Sequence, residues 1–541
     1  MKIINSIFTS TNKVKIFLIF FTFGFLIYGN SLFNSFVGDD IGQIKENSKI
    51  HSVWNIPSHF IRGTFDEGNV KQKDFNNYYK PVLSSIFTLI YAFSRNNPVG
   101  FHLVQIIIHI INSFIIYYLF KYFFRRLISL ILALIFLAHP INTEAVVYIS
   151  ALQEPLFLLF GLSALYINIK KPSSLIRTFS IVTLLVLSLL SKETGLVFLL
   201  ILPLYNLLLE RKNLIQALIH SLFASTTYVF FRFVLAGIYF GRNVVIPMNA
   251  LSLSERLINI PKIIFFYIST FMFPRYLIMF QSWIVKQPNY QDFYIPLLLE
   301  VILFVALIIF SIRVYKSRRE DLKTILFFFA WFVVGLGAHL QIISLDQTVS
   351  DRWFYFPIIG LLAMLGSLLK YLYSTKVLNS NYLIIISLII FAAFSLRVIN
   401  RNKNWKNSYT LVTHDINYTK NSHQLERGIA YEHYLRGDYT EAEKHYIKAT
   451  HIFPSSYNFS ALGIFYISIK KYKEAVNAYE DALKFYPENF SSLIWLAISK
   501  YKLGDKEGAL INANKAYLLS PSSETMQILK TIQEDAPINI H

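Results

Sequence analysis

Long, nearly uninterrupted apolar runs dominate the first 400 residues of the chain. A membrane-spanning helix needs about 20 predominantly apolar residues, and by that measure the sequence predicts eleven spans. The predicted fold is therefore an all-α, polytopic transmembrane helical bundle that occupies residues 1–405. The predicted spans are 16–36, 100–120, 127–139, 151–169, 177–191, 195–209, 214–236, 296–312, 322–343, 354–373 and 381–399.

Two further apolar stretches do not fit this series of spans. The external loop 37–99 is too long for a simple connection, and its apolar stretch 82–93 is too short to cross, which predicts interfacial helices. The run 257–280 would place the basic segment 313–319 outside if it crossed the membrane. We therefore predict a re-entrant or interfacial helix pair with both ends external.

The pattern changes after residue 400 to charged helices that contain small residues at regular positions. Pro454, Pro487 and Pro521 are spaced at the 33- to 34-residue period of tetratricopeptide repeats (TPRs). The sequence thus predicts a C-terminal TPR α-solenoid over 421–530. Its predicted parts are the repeats 421–454, 455–487 and 488–521 and a capping helix.

Composition and charge support a membrane protein and exclude other classes. Hydrophobic residues make up 54% of the chain and charged residues 15%, against about 25% charged residues in soluble domains. The net charge of +19 comes from short groups of basic residues between the apolar runs, which is the pattern that the positive-inside rule describes. The sequence contains no basic patch of the kind that binds nucleic acid. This rule predicts a cytoplasmic N-terminus and an external TPR domain. The chain has no cysteine, which excludes disulfides and thiolate sites.

An acidic pair, Asp39-Asp40, follows the first predicted span on the outer side. Adjacent carboxylates repel each other, which tends to raise the pKa of at least one of them. One could serve as a general base for an acceptor hydroxyl and the other as an orienting or metal ligand. A solvated helix cap is the alternative interpretation.

Two charged pairs are predicted on the same outer face. Lys192-Glu193 joins two short spans, so it would lie at membrane depth, where charged residues are functional candidates. Asp351-Arg352 precedes an aromatic cluster, and the fork of donors on arginine is suited to phosphate. The alternatives are a helix-stabilising ion pair for the first and an interfacial anchor for the second.

Other outer-face residues are weaker candidates. His139 and Glu144 lie in the turn between two spans and could bind a sugar or a metal ion, or simply form the turn. Tyr79-Lys80 adds a further cation at the start of the interfacial stretch. His102 is placed similarly on the next span.

In this order the motifs resemble the TMTC group of transmembrane-and-TPR O-mannosyltransferases, part of the GT-C superfamily of membrane glycosyltransferases. The resemblance runs from about residue 15 to 530. Three places depart from the group's common pattern. Lys80 and Asp351 stand where Arg and Glu are usual, and Gln153-Glu154 stands where an arginine is often found after the His139-Pro140 turn. The matching motifs are Asp39-Asp40, Tyr79-Lys80-Pro81, Gly100 to Val104, His139 to Val146, Lys192-Glu193, Asp351 to Pro357 and Trp405-Lys406-Asn407.

The resemblance implies a specific reaction. A hexose, often mannose, would pass from a polyprenyl-phosphate-linked donor to Ser or Thr hydroxyls of an exported protein, with inversion at the anomeric carbon. Asp39 would be the general base, and Lys192, Arg352 and Lys80 would hold the lipid phosphate. The short TPR array fits a bacterial protein of the inner membrane with periplasmic TPRs.

Two alternatives remain at this stage. One is a polysaccharide ligase or polymerase that also uses a polyprenyl-linked donor, although its usual large late external loop is absent, since 344–353 is short. The other is a non-catalytic membrane scaffold. The TPRs are expected to bind the acceptor polypeptide or another partner, and membrane lipids but no nucleic acid are expected as partners. The sequence identifies no certain cofactor and leaves a divalent cation open.

Overall fold

The computed structural model describes residues 12–64, 78–170, 174–239, 247–419 and 421–538. The regular secondary structure of these residues consists of α-helices with short 3₁₀ and π-helical turns, and an isolated antiparallel bridge joins Gln281 and Val349. This agrees with the predicted all-α class.

The helices of the membrane part follow the apolar runs of the sequence. Every predicted span contains a helix, although the first helix ends at Tyr28 and residues 32–36 are not helical. The membrane part consists of α1 (Lys13–Tyr28), α2 (Ile56–His59), α3 (Pro81–Ser94), α4 (Pro98–Phe120), α5 (Arg126–Ala138), α6 (Thr143–Val147), α7 (Gln153–Lys170), α8 (Leu175–Ser191), α9 (Leu196–Leu208), α10 (Leu214–Val229), α11 (Leu253–Leu257), α12 (Ile260–Met272), α13 (Ile295–Ser317), α14 (Arg319–Gly337), α15 (Pro357–Ser374) and α16 (Ser380–Asn404).

Length and composition support a multi-pass membrane protein. Within the described residues, seven helices are long and apolar enough to cross a membrane, or eight if the bent pair Arg126–Ala138 and Pro140–Val147 forms one span. Helices α8 and α9 are apolar but shorter. Helix α14 begins with the charged residues Glu320 and Asp321, so only its later turns are apolar.

The predicted segment 257–280 contains one substantial helix. The 13 residues of α12 span about 20 Å at 1.5 Å per residue, which is shorter than the roughly 30 Å hydrocarbon core. After α12 the chain runs from Phe273 to Asn289 without a helix. We call residues 273–289 the strap.

The C-terminal part forms antiparallel helix pairs, as the proline spacing predicts. Tight packing explains its small residues, since a Cβ on Gly463 would lie 2.7 Å from the Tyr479 ring. Each predicted repeat contains two helices. The helices of the C-terminal part begin with α17 (Ser408–Asp415), which precedes the repeats. The others are α18 (His423–Leu435), α19 (Tyr439–Ile452), α20 (Ser456–Ser468), α21 (Tyr472–Phe485), α22 (Phe490–Lys502), α23 (Lys506–Leu519) and the final helix α24 (Ser523–Gln533).

The two ends of the bundle carry different loops. At one end, Lys370 on α15 donates to the carbonyl of Phe123 (3.2 Å) and pairs with Asp321 on α14 (2.8 Å). We call this basic end the inner end. At the other, the outer end, lie the loop after α1, the turn 139–152, the α8–α9 junction and the loop 338–356, and the candidate residues lie on these segments.

Candidate active site at the outer end of the bundle

Asp40 is fully buried and fastens the loop after α1 to the turn before α7. Its carboxylate accepts hydrogen bonds from the backbone N–H of Val37 (3.0 Å) and from the backbone N–H (2.7 Å) and hydroxyl (2.6 Å) of Ser150. Burial raises the pKa of Asp40 to about 7, although the hydrogen bonds act in the opposite direction. The carboxylate of Asp40 therefore organises the loop that carries its neighbour.

Asp39 has the opposite environment, because its side chain is exposed. Its backbone N–H donates to the Tyr148 hydroxyl (3.0 Å), and among the described residues nothing donates to its carboxylate. The preceding Gly38 has φ +55°, and a Cβ there would lie 3.3 Å from that hydroxyl. Glycine thus permits the turn that directly precedes Asp39.

Glu144 and Arg352 form a buried ion pair between the turn 139–152 and the loop before α15. The Arg352 Nη1 atom lies 2.5 Å from Glu144 Oε1, and the side chains are 10% and 3% exposed. The same carboxylate accepts from the Arg352 backbone N–H (3.1 Å) and the Ser350 hydroxyl (3.0 Å). In the described part of the chain, the buried Nε of Arg352 has no hydrogen-bond partner. Glu144 therefore fixes a guanidinium that retains a free donor.

Lys192 and Glu193, neighbours at the α8–α9 junction, pair with different residues. Lys192 forms a buried ion pair with Glu154 at the start of α7. Glu193 pairs with Arg232 (2.9 Å), which lies on the π-helical turn after α10 and also donates to the Tyr228 hydroxyl (2.7 Å). The two ion pairs tie the start of α7 and the turn after α10 to the α8–α9 junction.

Lys80 adds a fourth cation at this end, after Arg352, Lys192 and Arg232. It is buried, and its ammonium lies 4.6 Å from the centre of the Tyr78 ring. Burial lowers the pKa of Lys80, and the nearby carboxylates of Glu193 and Asp346 oppose this effect. These interactions place the ammonium within a group of residues that we call the outer charge cluster. Its members are Lys80, Lys192, Arg232, Arg352, Glu144, Glu154, Glu193 and Asp346.

The three other candidates make contacts with backbone carbonyls. His139 Nε2 hydrogen-bonds to the carbonyl of Phe271 (3.0 Å), and its Nδ1 accepts from a backbone N–H in its own turn. His102 Nε2 bonds to the carbonyl of Asn34 (3.1 Å). The Tyr79 hydroxyl donates to the carbonyl of Phe60 (2.7 Å). These side chains anchor loops. Tyr79 also contacts the outer charge cluster, because its backbone N–H donates to Glu193 Oε1 (3.4 Å), whereas in the described part of the chain His102 and His139 make no hydrogen bond to it.

Sequence reasoning missed four residues of the site. Glu154 and Arg232 lie inside predicted spans, and a charge within an apolar run is itself a signal of a buried partner. Asp346 and His339 lie in a loop that begins at residue 338, because α14 ends six residues before the predicted boundary. The His339 ring stacks on Trp353 with ring centres 5.1 Å apart.

A divalent cation stays an open prediction. Among the described residues, no three His, Asp or Glu side chains are grouped so as to hold a metal ion. The three glutamates of the outer charge cluster are instead paired with cations, and Asp40 is hydrogen-bonded to Ser150.

The known proteins that are similar to this chain agree with the family resemblance of its motifs. A tetratricopeptide repeat family model matches residues 459–489. The human protein O-mannosyl-transferase TMTC3 is 24% identical over 503 residues, which cover 85% of this chain and 54% of the relative. Human protein O-mannosyl-transferase TMTC1 is 33% identical over 153 residues, which cover 26% of this chain and 17% of the relative.

Among solved structures, the apo oligosaccharyltransferase of Archaeoglobus fulgidus matches with a TM-score of 0.46 and 13% identity, covering 92% of this chain and 73% of that one. The chain spans about half the length of the TMTC3 relatives. The relatives confirm the predicted resemblance to the TMTC group, and the family model confirms a TPR in the C-terminal part.

Proposed function

We propose that this multi-pass membrane protein, a relative of the TMTC protein O-mannosyl-transferases, is itself a membrane glycosyltransferase. It moves a hexose, with mannose as the first candidate, from a polyprenyl-phosphate-linked donor to Ser or Thr hydroxyls of exported proteins. The relatives' names support this reaction class, and the charges at the outer end support the chemistry.

One observation carries the proposal: of two adjacent carboxylates, Asp40 accepts three hydrogen bonds from the protein, whereas Asp39 is exposed. A general base must be free to accept a proton from the substrate. Asp39 meets that requirement, and Asp40 holds the turn that presents it. The cations Lys80, Lys192 and Arg352 lie at the same end of the bundle.

The proposed transfer is a single displacement. Asp39 accepts the proton of the acceptor hydroxyl while the hydroxyl oxygen forms a bond to the anomeric carbon of the donor. The bond between that carbon and the phosphate oxygen breaks, and its electron pair leaves with the polyprenyl phosphate. Attack opposite the leaving group inverts the anomeric carbon. Fixed cations stabilise the negative charge that develops on the phosphate, a role we assign to Lys80, Lys192 and Arg352.

The remaining candidates have supporting roles in this proposal. Glu144 holds Arg352, and Glu193 with Arg232 holds the α8–α9 junction beside Lys192. The candidates Tyr79, His102 and His139 shape the walls of the site through their backbone contacts. We further propose that the N-terminus is cytoplasmic and that residues 421–530 lie outside the inner membrane, on the side of the outer charge cluster.

The test is Asp39→Asn in the full chain, reconstituted in liposomes with polyprenyl-phosphate mannose and a Ser/Thr-containing peptide. Loss of the base should lower the transfer rate by about 10²- to 10⁴-fold, with donor binding retained. Asp321→Asn at the inner end is the matched control and should retain full activity. A rate for Asp39→Asn equal to that of wild type would refute the assignment.

The same assay separates the alternatives. Transfer to a glycan acceptor but not to the peptide would identify a polysaccharide ligase or polymerase. Absence of transfer by the wild-type protein to either acceptor, from each polyprenyl-phosphate hexose offered, would favour the membrane scaffold.

A further inference from the structure

The strap, residues 273–289, lies between the TPR region and the outer end of the bundle. It lacks helical hydrogen bonding, yet Leu277, Ile278 and Met279 are buried. A buried irregular segment needs partners for its backbone groups. The partners of the strap come from two sides of the molecule.

On one side, the strap is held by residues around the first TPR helix. The carboxylate of Asp415 accepts from the backbone N–H of Met279 (2.9 Å). The Ser422 hydroxyl donates to the carbonyl of Phe280 (3.2 Å), and the Ser282 hydroxyl donates to the side-chain oxygen of Gln424 (2.8 Å). An apolar cluster joins the same elements, formed by Ile278, Val412, Leu425 and Ile429.

Asp415 is itself rigidly held. Arg401 at the end of α16 makes a two-pronged ion pair with it, at 2.6 Å and 3.0 Å, and both side chains are at most 2% exposed. Arginine pairs of this geometry add directional specificity. The contact between Asp415 and the strap is therefore fixed to the last membrane helix.

On its other side, the strap contacts the segment that carries Arg352. The Thr348 backbone N–H donates to the carbonyl of Gln281 (2.9 Å), and its hydroxyl donates to the carbonyl of Trp283 (2.6 Å). Two residues further along, the Ser350 hydroxyl donates to Glu144, the partner of Arg352. The position of the strap thus influences where the guanidinium lies.

The strap also reaches the acidic loop. The methyl group of Met279 lies 3.4 Å from the point that a Cβ on Gly38 would occupy, and Gly38 directly precedes Asp39. Met279 is 2% exposed, so this contact is part of a packed interior that transmits displacement. One short segment therefore touches the neighbours of both Asp39 and Arg352.

We propose that the docked first TPR helix, acting through the strap, sets the spacing between Asp39 and Arg352. Met279, Asp415 and Gln424 are positioning residues in this arrangement, and the inference rests on the proposed function. The TPR region then helps to build the site in addition to any role in binding an acceptor.

The activity test uses the full chain with two variants, Met279→Ala and the pair Ser282→Ala with Gln424→Ala. The control is Ser460→Ala, which removes a hydrogen bond of similar length to Ser492 (2.7 Å) within the TPR array. With a short acceptor peptide at saturation, both variants should lower kcat per folded protein by about tenfold to a hundredfold, since small misplacements are costly. The control should match wild type.

Two outcomes would overturn the proposal. A rise in KM for the acceptor with unchanged kcat would mean that the TPRs only recruit substrate. A kcat that is normal per folded molecule, with only the folded fraction reduced, would mean that the strap is merely structural.

Hydrogen exchange gives a readout that does not depend on transfer. In the Ser282→Ala/Gln424→Ala variant, amides of residues 348–354 and 37–41 should exchange faster than in wild type, with no change in the control. Unchanged exchange in those segments would refute the coupling. If exchange in those segments is faster in the variant, but the wild-type protein transfers no hexose, the proposed function fails and the positioning role of the strap stands.

Discussion

The outer and inner ends of the bundle use their charges in different ways. At the outer end, the ion pairs Glu144–Arg352 and Glu154–Lys192 have side chains that are at most 10% exposed. At the inner end, the pair Lys370–Asp321 is 28% and 25% exposed. Inner cations such as Lys121 instead lie over tyrosine rings. Buried charges are costly to leave unpaired, whereas exposed ones are not.

The charged residues at the two ends therefore have different roles. By the positive-inside rule, we expect partly exposed inner-end cations such as Lys121 and Lys370 to act together in orienting the protein, so loss of either one should matter little. At the outer end, three ion pairs join residues from distant segments, and Glu144 and Arg352 are 208 residues apart. We therefore expect single substitutions to have large effects at the outer end and small effects at the inner end.

The largest effect on stability is expected for Glu144→Ala. It leaves the Arg352 guanidinium buried without its carboxylate, and breaking a buried pair costs about 3–5 kcal/mol. Thermal unfolding of the detergent-purified protein, followed by tryptophan fluorescence, measures the change. An unchanged midpoint would mean that Asp346, whose charge also acts on Arg352, replaces Glu144. The double variant Glu144→Ala/Asp346→Ala should then show the full loss of stability, about 3–5 kcal/mol.

The largest effect on activity after loss of Asp39 is expected for Lys192→Met combined with Glu154→Gln. Removing both charges leaves no unpaired ion, so stability should change little. Transfer should fall by about 10²- to 10³-fold, the usual cost of removing one group that stabilises transition-state charge. The control is Lys121→Met at the inner end. Equal activity in both variants would show that Lys192 has only a packing role.

A smaller, pH-dependent effect is expected from Asp40. Its pKa in the folded protein is about 7, above the ordinary value of 3.8. The folded state therefore binds this proton more tightly than the unfolded state. The resulting stabilisation is complete below about pH 4 and is lost as the pH rises through about 7. We expect the unfolding midpoint to fall as the pH rises from about 4 to about 7 and to level off above that.

Asp40→Asn removes the titrating group and should flatten this fall. The comparison is made on the slope of the midpoint against pH, because the amide also changes the hydrogen bonds from Ser150 and Val37. A slope identical to that of wild type would assign the pH dependence to another group.

Much of the architecture could be predicted from the sequence because it is encoded locally. Apolar runs marked the membrane helices, and the spacing of three prolines marked the helix pairs of the TPR array. The ends of elements were less predictable. Helix α14 ends at Gly337, whereas the predicted span continues to residue 343 and so places His339 inside the membrane.

The pairing of charges could not be predicted, because partners come from segments far apart in the chain. Lys192 and Glu193 are adjacent, yet they pair with residues 38 and 39 positions away. The sequence likewise could not tell Asp39 from Asp40, since the difference depends on Ser150, 110 residues later. The sequence predicts residues 273–280 of the strap only as the end of the apolar run 257–280. The contacts of the strap with Thr348 and Asp415 depend on tertiary structure.

The smallest effect is expected for Asp321→Ala at the inner end. This substitution leaves Lys370 without its carboxylate, but the ammonium is partly solvated and still donates to the carbonyl of Phe123. Partly exposed pairs of this kind contribute about 0–1 kcal/mol, so the unfolding midpoint and the transfer rate should both remain close to wild type. The measurement is made beside Glu144→Ala under the same conditions. A loss of stability as large as that of Glu144→Ala would mean that the inner end also depends on specific buried pairing, and the contrast between the two ends would no longer hold.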